Sequence, residues 1–66
     1  RLRQRRMEIA KREKVPPYIV FTDKTLVQMC ILHPATLQEM LKVSGVGEAK
    51  LEKYGEEFLE VLRENG

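Results

Sequence analysis

The fold class is decided by the stretch Val15-Pro16-Pro17-Tyr18-Ile19-Val20-Phe21. Two consecutive prolines cannot continue a helical hydrogen-bond ladder, so a helix that precedes them must end there. Residues 18–21 form the one run with strong strand propensity, and no other segment offers them a partner strand across a hairpin turn. A lone strand would leave its backbone N–H and C=O groups unpaired. We therefore predict a buried connector, a single helical turn, within an all-α fold.

The segment before the prolines is predicted to form a basic helix over residues 1–13. Its apolar residues Leu2, Ile9 and Ala10 fall at helical spacing, in one narrow stripe. The whole chain carries a net charge of only +2, yet its first 14 residues hold seven basic side chains against two acidic ones. Such a cluster is typical of a polyanion-binding surface. It is equally consistent with a solvated helix face that pairs with the acidic residues near the other end, Glu56, Glu57, Glu60 and Glu64.

The next helix is predicted to begin near Lys24, because Thr22 or Asp23 can accept hydrogen bonds from the free amides at a helix start. His33-Pro34 closes this helix. Three of its residues are expected to point into the core, namely Leu26, Met29 and Cys30. Since Cys30 is the only cysteine, no intramolecular disulfide is possible, and a reducing compartment is expected.

A further short helix is predicted from Thr36-Leu37-Gln38-Glu39, which has the spacing of a capping box. Its apolar face consists of Leu37, Met40 and Leu41. The turn Gly45-Val46-Gly47 then reverses the chain, with Val46 packed inward. The amides that follow this turn, together with Lys50, can hold a phosphate in the manner of a helix-hairpin-helix motif. Alternatively, the glycines only permit a tight turn, and Glu48 would repel a phosphate there.

The last helix is predicted over residues 48–65 and carries the clearest periodic signal of the chain. Its apolar stripe consists of Leu51, Tyr54, Phe58 and either Val61 or Leu62. Gly55 interrupts this helix at a cost of about 1 kcal/mol relative to alanine, so we expect another helix to approach closely there.

Catalytic chemistry is not predicted for residues 1–66, which are long enough for one small domain. The single histidine, His33, has no cysteine or carboxylate at ligand spacing, and no nucleophilic triad can be assembled around Ser44, the only serine. We predict neither a metal nor another cofactor. No apolar run approaches the roughly 20 residues that cross a bilayer, so we expect an intracellular domain without membrane contact. We also expect a monomer. A helical pattern that opens at Arg1 without a methionine suggests a piece of a longer chain.

Tyr18 is the leading candidate for a nucleic-acid contact, because it follows a rigid proline corner with lysines nearby. An aromatic ring stacked on a base contributes roughly 1–3 kcal/mol, and neighbouring cations hold the phosphates. In the alternative, the ring belongs to the core with the three apolar residues that follow it. The predicted set consists of Tyr18, Lys14, Lys24, Arg12 and Thr25, with Gly45, Gly47 and Lys50 as a secondary phosphate site.

The order of these motifs resembles the HRDC domain throughout, most closely that of bacterial RecQ helicases. The resemblance is carried by Val15-Pro16-Pro17-Tyr18-Ile19-Val20-Phe21, Asp23-Lys24-Thr25-Leu26, His33-Pro34, Gly45-Val46-Gly47 and Lys53-Tyr54-Gly55. It implies a compact bundle of about five helices, without catalysis of its own, that helps an ATP-dependent helicase engage single-stranded or partly single-stranded DNA. It also places the domain in DNA replication, recombination and repair, near the nucleoid if the source is bacterial. Arg5 stands where family members often carry an apolar residue.

Two functions of different classes follow from these observations. The first is an accessory module that binds single-stranded DNA weakly through Tyr18 and basic residues. The second is a docking module that binds a protein or the helicase core of the same chain through its charged faces. The low net charge and the acidic last helix favour the second. Related domains also occur in ribonuclease D, so a nuclease parent is a further alternative.

Overall fold

A computed structural model describes residues 1–65, and residues 1–64 with their side chains. Five helices follow one another in this part of the chain, α1 (Leu2–Glu13), α2 (Pro17–Val20), α3 (Asp23–Leu32), α4 (Leu37–Met40) and α5 (Glu48–Asn65). Residues 1–65 contain no strand. The all-α prediction is confirmed, as is the number of helices that the resemblance implied. Gly66, the last residue of the predicted domain, lies outside the described residues.

The proline corner forms the single helical turn that the sequence predicted. Helix α1 ends because Lys14 adopts a left-handed conformation (φ 59°, ψ 44°), and the N–H of Val15 then donates to the carbonyl of Ala10. Pro16 is extended and Pro17 begins α2, where a proline costs nothing because the first amide of a helix has no intrahelical partner. The chain therefore turns sharply between α1 and α2 without losing backbone hydrogen bonds.

Side-chain caps start α3 and α4 where the sequence placed them. Thr22 Oγ1 accepts a hydrogen bond from the amide of Thr25 at 3.3 Å, and Thr36 Oγ1 accepts one from the amide of Glu39 at 3.1 Å. The Glu39 carboxylate accepts from the amide of Ala35, one residue earlier than in the usual capping box. Helix α3 ends at Leu32, because the next residue, His33, adopts a left-handed conformation (φ 46°) that stops the helical hydrogen bonds before the proline.

The core lies between α5 and the helices packed on it. Its largest fully buried side chains are Phe21, Phe58, Ile9, Met29, Met40, Leu59, Val20 and Val43. Tyr54 and Phe58 are core residues, as predicted. At Gly55 an added Cβ would lie 2.9 Å from a methyl carbon of Leu37, which confirms that another helix, α4, approaches there. None of the described helices combines the length and apolar character needed to cross a membrane.

One expectation about buried residues is wrong. Cys30 is exposed, because α3 turns residues 26 and 29 toward the core and the following residue toward solvent. Leu37 and Leu41 are each more than a third exposed, and only Met40 of the predicted α4 face is buried. Leu37 is only partly exposed because it reaches α5, where its Cδ2 lies 2.9 Å from the position of an added Cβ at Gly55.

Candidate nucleic-acid interface

The proline corner presents Tyr18 to solvent. Its side chain is 63% exposed, and the neighbouring Ile19 is also exposed, whereas Val20 and Phe21 are fully buried. The two later residues of the turn therefore anchor the segment, and the two earlier ones project from it. The predicted exposure of Tyr18 is confirmed, and the alternative in which its ring belongs to the core is excluded.

Phe21 holds the corner in the core through aromatic contacts. Its ring meets that of Phe58 edge to face at a centroid distance of 5.0 Å and an interplanar angle of 83°. It also meets the ring of Tyr54 at 6.1 Å and 76°. Edge-to-face pairs of this kind add about 0.5–1.5 kcal/mol to the burial of each ring. The proline corner is therefore anchored to α5 through Phe21, and this contact holds the backbone that carries Tyr18 in place.

Arg1 and two arginines of α1, Arg5 and Arg12, are paired with glutamates of α5. Arg1 lies 2.7 Å from Glu64, and Arg12 meets both carboxylate oxygens of Glu57, at 2.9 and 3.1 Å. Arg5 donates to the backbone carbonyl of the same glutamate residue and lies 3.5 Å from a carboxylate oxygen of Glu60. The hydrogen bond and the charge of Glu57 raise the pKa of Arg12. The pairing alternative is therefore confirmed for these residues.

Arg12 is consequently less available to a phosphate than the sequence predicted. Its guanidinium meets a carboxylate with two parallel hydrogen bonds, the geometry that arginine also uses for phosphate. A DNA phosphate would have to displace Glu57 or share the guanidinium with it. The sequence could not rank these partners, because residues 12 and 57 are 45 positions apart.

Lys14 and Lys24 flank the corner as free cations. Both are exposed, and neither forms an ion pair within residues 1–64. Lys14 directly follows α1, two residues before the first proline, and Lys24 is the second residue of α3. Together with Tyr18 they place an exposed ring and two exposed positive charges within residues 14–24 of the chain.

Thr25 does not belong to this surface. It is only 3% exposed, and its hydroxyl lies 3.1 Å from that of Thr22, inside the start of α3. The same hydroxyl faces Gly45 so closely that a Cβ at that position would lie 2.1 Å from it. Thr25 is thus part of the contact between α3 and the glycine turn, and a buried side chain of this kind has no surface to offer to DNA.

The glycine turn is tight, as predicted, and Val46 is buried within it. Gly45 has a φ of +91°, which L side chains rarely adopt, whereas Gly47 does not lie in that region. Helix α5 begins directly after the turn with the acidic Glu48. These findings agree with glycines that serve a tight turn, and the secondary phosphate site at Gly45, Gly47 and Lys50 stays a prediction.

Lys50 belongs spatially to the proline corner as well as to the glycine turn. Its ammonium lies 5.8 Å from the centroid of the Phe21 ring, and that of Lys53 lies 5.6 Å from the Tyr54 ring. The Phe21 and Tyr54 rings contact each other, so the two ammonium groups lie next to the same pair of aromatic rings. Cation–π contacts restrain the amines without neutralising them. Lys53 was not among the predicted residues, although its spacing of three from Lys50 on a helix indicates a shared face.

The bundle and its proline corner define the class of this protein as a small all-helical domain. The profile of the HRDC domain matches residues 1–62, so the chain belongs to the HRDC domain family. The resemblance seen in the sequence is thereby confirmed. A solved structure described as the third HRDC domain of D. radiodurans RecQ superposes with a TM-score of 0.91 at 37% identity, covering 94% of this chain and 82% of that one.

Full-length relatives of this chain are described as ATP-dependent DNA helicases. The RecQ proteins of Haemophilus influenzae and Bacillus subtilis are each 46% identical, over 98% and 96% of this chain respectively. UvrD2 of Mycobacterium bovis is 39% identical over 94% of the chain. The chain spans 10%, 11% and 9% of these three proteins, about a tenth of their length.

Proposed function

We propose that this domain is an accessory module of a RecQ-type DNA helicase and binds single-stranded or partly single-stranded DNA weakly, without catalysis of its own. The observation that carries the proposal is the exposed ring of Tyr18 on a rigid corner, with free lysines on both sides. A helicase is favoured over a nuclease as the parent protein, because the three relatives named above are helicases. Such a protein acts on DNA inside the cell.

The proposed site uses Tyr18 for stacking and Lys14 and Lys24 for phosphate contacts. Lys50 and Lys53 extend it across the Phe21 and Tyr54 rings, whereas Arg12 contributes only where a phosphate displaces its carboxylate partner. Each neutralised phosphate steepens the logarithmic salt dependence of binding to a single strand by about 0.7. Two to four contacts therefore give a slope of about −1.4 to −2.8. A weak affinity for DNA is sufficient for an accessory domain, because the helicase core of the same protein also binds the DNA.

The test is a titration of the labelled domain with a short oligothymidine, followed by amide chemical shifts at low and at higher salt. We expect the largest shifts at residues 14–24, with smaller ones at residues 50–53. Tyr18→Ala should weaken binding by about fivefold to 150-fold, the equivalent of one lost stacking contact, and should leave the melting temperature nearly unchanged because the ring is exposed. Tyr18→Phe retains the ring and is the matched control, expected to bind like the wild type.

Other outcomes would contradict the proposal in distinct ways. If Tyr18→Ala binds as tightly as Tyr18→Phe, the ring does not stack on a base. Shifts centred on residues 45–50 would move the interface to the glycine turn. A flat titration at low salt would exclude useful DNA affinity altogether.

Protein docking is a second candidate, favoured by the apolar outer face of α3. Ile31 is 67% exposed, and Val27 and Leu32 lie at the surface beside it. A groove of about 500 Å³ runs along this helix. Exposed apolar clusters often mark interaction surfaces. Addition of the catalytic core of a bacterial RecQ helicase should then shift amides of α3, and the double variant Val27→Ser/Ile31→Ser should abolish that effect.

A further inference from the structure

Arg6 is a largely buried cation that joins α1 to the junction between α2 and α3. Its side chain is 13% exposed. One guanidinium nitrogen, Nη1, donates to the carbonyl of Phe21 at 3.0 Å, and the other, Nη2, lies 2.8 Å from a carboxylate oxygen of Asp23. Unlike Arg1, Arg5 and Arg12, this residue is directed away from the glutamates of α5.

The Phe21 carbonyl falls between two helical ladders. Phe21 is extended (φ −152°, ψ 145°) where α2 has ended, and the backbone ladder of α3 starts one residue later, from the carbonyl of Thr22 to the amide of Leu26. Arg6 supplies a donor to the intervening carbonyl and fixes Asp23 at the same time. A planar guanidinium can serve two acceptors in fixed directions, whereas a lysine ammonium acts as a single point charge.

We propose that Arg6 is a positioning residue of the nucleic-acid site, which holds the exit of α2 and thereby orients Tyr18. This inference rests on the proposed function. Tyr18 and Phe21 belong to one helical turn, which is closed by the hydrogen bond from the Phe21 amide to the Pro17 carbonyl. The entry of that turn is fixed by Pro16 and Pro17. With both ends held, the tyrosine ring is presented in one direction, and less ordering entropy is lost when a base stacks on it.

The experiment compares the wild type with Arg6→Lys, which keeps the charge and loses the two-point contact. Binding of oligothymidine is measured across a range of salt concentrations well below the melting temperature, and ¹⁵N relaxation reports the order of residues 17–20. We expect Arg6→Lys to weaken binding by about twofold to tenfold, with an unchanged salt slope and greater mobility of the Tyr18 amide. Arg3→Lys, the same substitution on an exposed residue of the same helix, should change none of these quantities.

Three results would overturn the inference. A direct phosphate contact predicts that Arg6→Lys binds like the wild type and that Arg6→Gln lowers the magnitude of the slope by about 0.7. A purely structural role predicts a lower melting temperature with unchanged affinity and unchanged order of α2. Asp23→Asn removes the charge that pairs with Arg6 but leaves the hydrogen bond to the Phe21 carbonyl, so it should loosen α2 less than Arg6→Lys does. An unchanged order of α2 in both Asp23→Asn and Arg6→Lys contradicts the role of the junction.

Failure of this inference is distinguishable from failure of the proposed function. If the wild type does not bind oligothymidine, the DNA-binding proposal is wrong, while the relaxation data still decide whether Arg6 orders α2. If the wild type binds and Tyr18→Ala does not, the site is established. An Arg6→Lys variant with wild-type affinity and a wild-type order of Tyr18 then refutes the positioning role alone.

Discussion

Replacing Gly45 by alanine should remove a large part of the stability of this domain. Gly45 has a φ of +91°, and an added Cβ would lie 2.1 Å from the hydroxyl oxygen of Thr25 and 3.3 Å from its Cβ. Thr25 cannot easily give way, because it is 3% exposed and its hydroxyl lies 3.1 Å from that of Thr22. Backbone strain and overlap therefore act together at this position.

The magnitude follows from the two contributions. A residue with a side chain in this backbone region lowers the free energy of unfolding by about 1–3 kcal/mol. Forcing an extra methyl group into a packed site lowers it by about 1–3 kcal/mol more. The sum is about 2–6 kcal/mol. A chain of 66 residues is expected to have a free energy of unfolding of about 3–10 kcal/mol. At about 4–8 °C per kcal/mol, the melting temperature should fall by at least about 8 °C.

The assay is thermal and urea unfolding followed by circular dichroism, with Gly47→Ala as the matched control. At Gly47 no atom lies within 4 Å of an added Cβ and φ is not positive, so alanine there should be neutral or stabilising by about 0.4–1 kcal/mol. Adding Thr25→Ala to Gly45→Ala removes the overlap and should recover about 1–3 kcal/mol as a coupling energy. Equal stability of the Gly45 and Gly47 variants would refute the reasoning.

Two further predictions concern surface residues. Glu57→Gln releases Arg12 from its carboxylate partner, so single-stranded DNA should bind more tightly, with a salt slope steeper by about 0.7. Glu56→Gln is the control, because it removes the same negative charge without releasing an arginine. Equal salt slopes for these two variants would show that Arg12 gains no phosphate. Cys30→Ser should change the free energy of unfolding by less than about 0.5 kcal/mol, because the thiol is exposed. In the wild type, a thiol reagent should label Cys30 without prior unfolding, and labelling that waits for unfolding would contradict this.

The candidate site illustrates how far local sequence reasoning reaches. The exposure of Tyr18 was predicted correctly, because two prolines precede it and the buried Val20 and Phe21 that follow it are enough to anchor the segment. Thr25 was placed wrongly, because its burial depends on a glycine turn 20 residues further along the chain. Lys53 was missed, although its spacing of three from Lys50 on one helix is a local signal that places the two lysines on a shared face. The error at Thr25 thus involves a contact between elements that are distant in sequence, whereas the omission of Lys53 does not.

The sequence by itself determined the helices and their ends. Prolines, capping side chains and glycines act on the residues next to them, so α1 to α5 and the turns between them follow from local chemistry. Only the tertiary structure decided which charges are free. Arg1 and Arg12 pair with α5 across 63 and 45 residues of chain, and Arg6 contacts the proline corner instead. Charge can be counted along a sequence, but its availability depends on which faces the packed helices bring together.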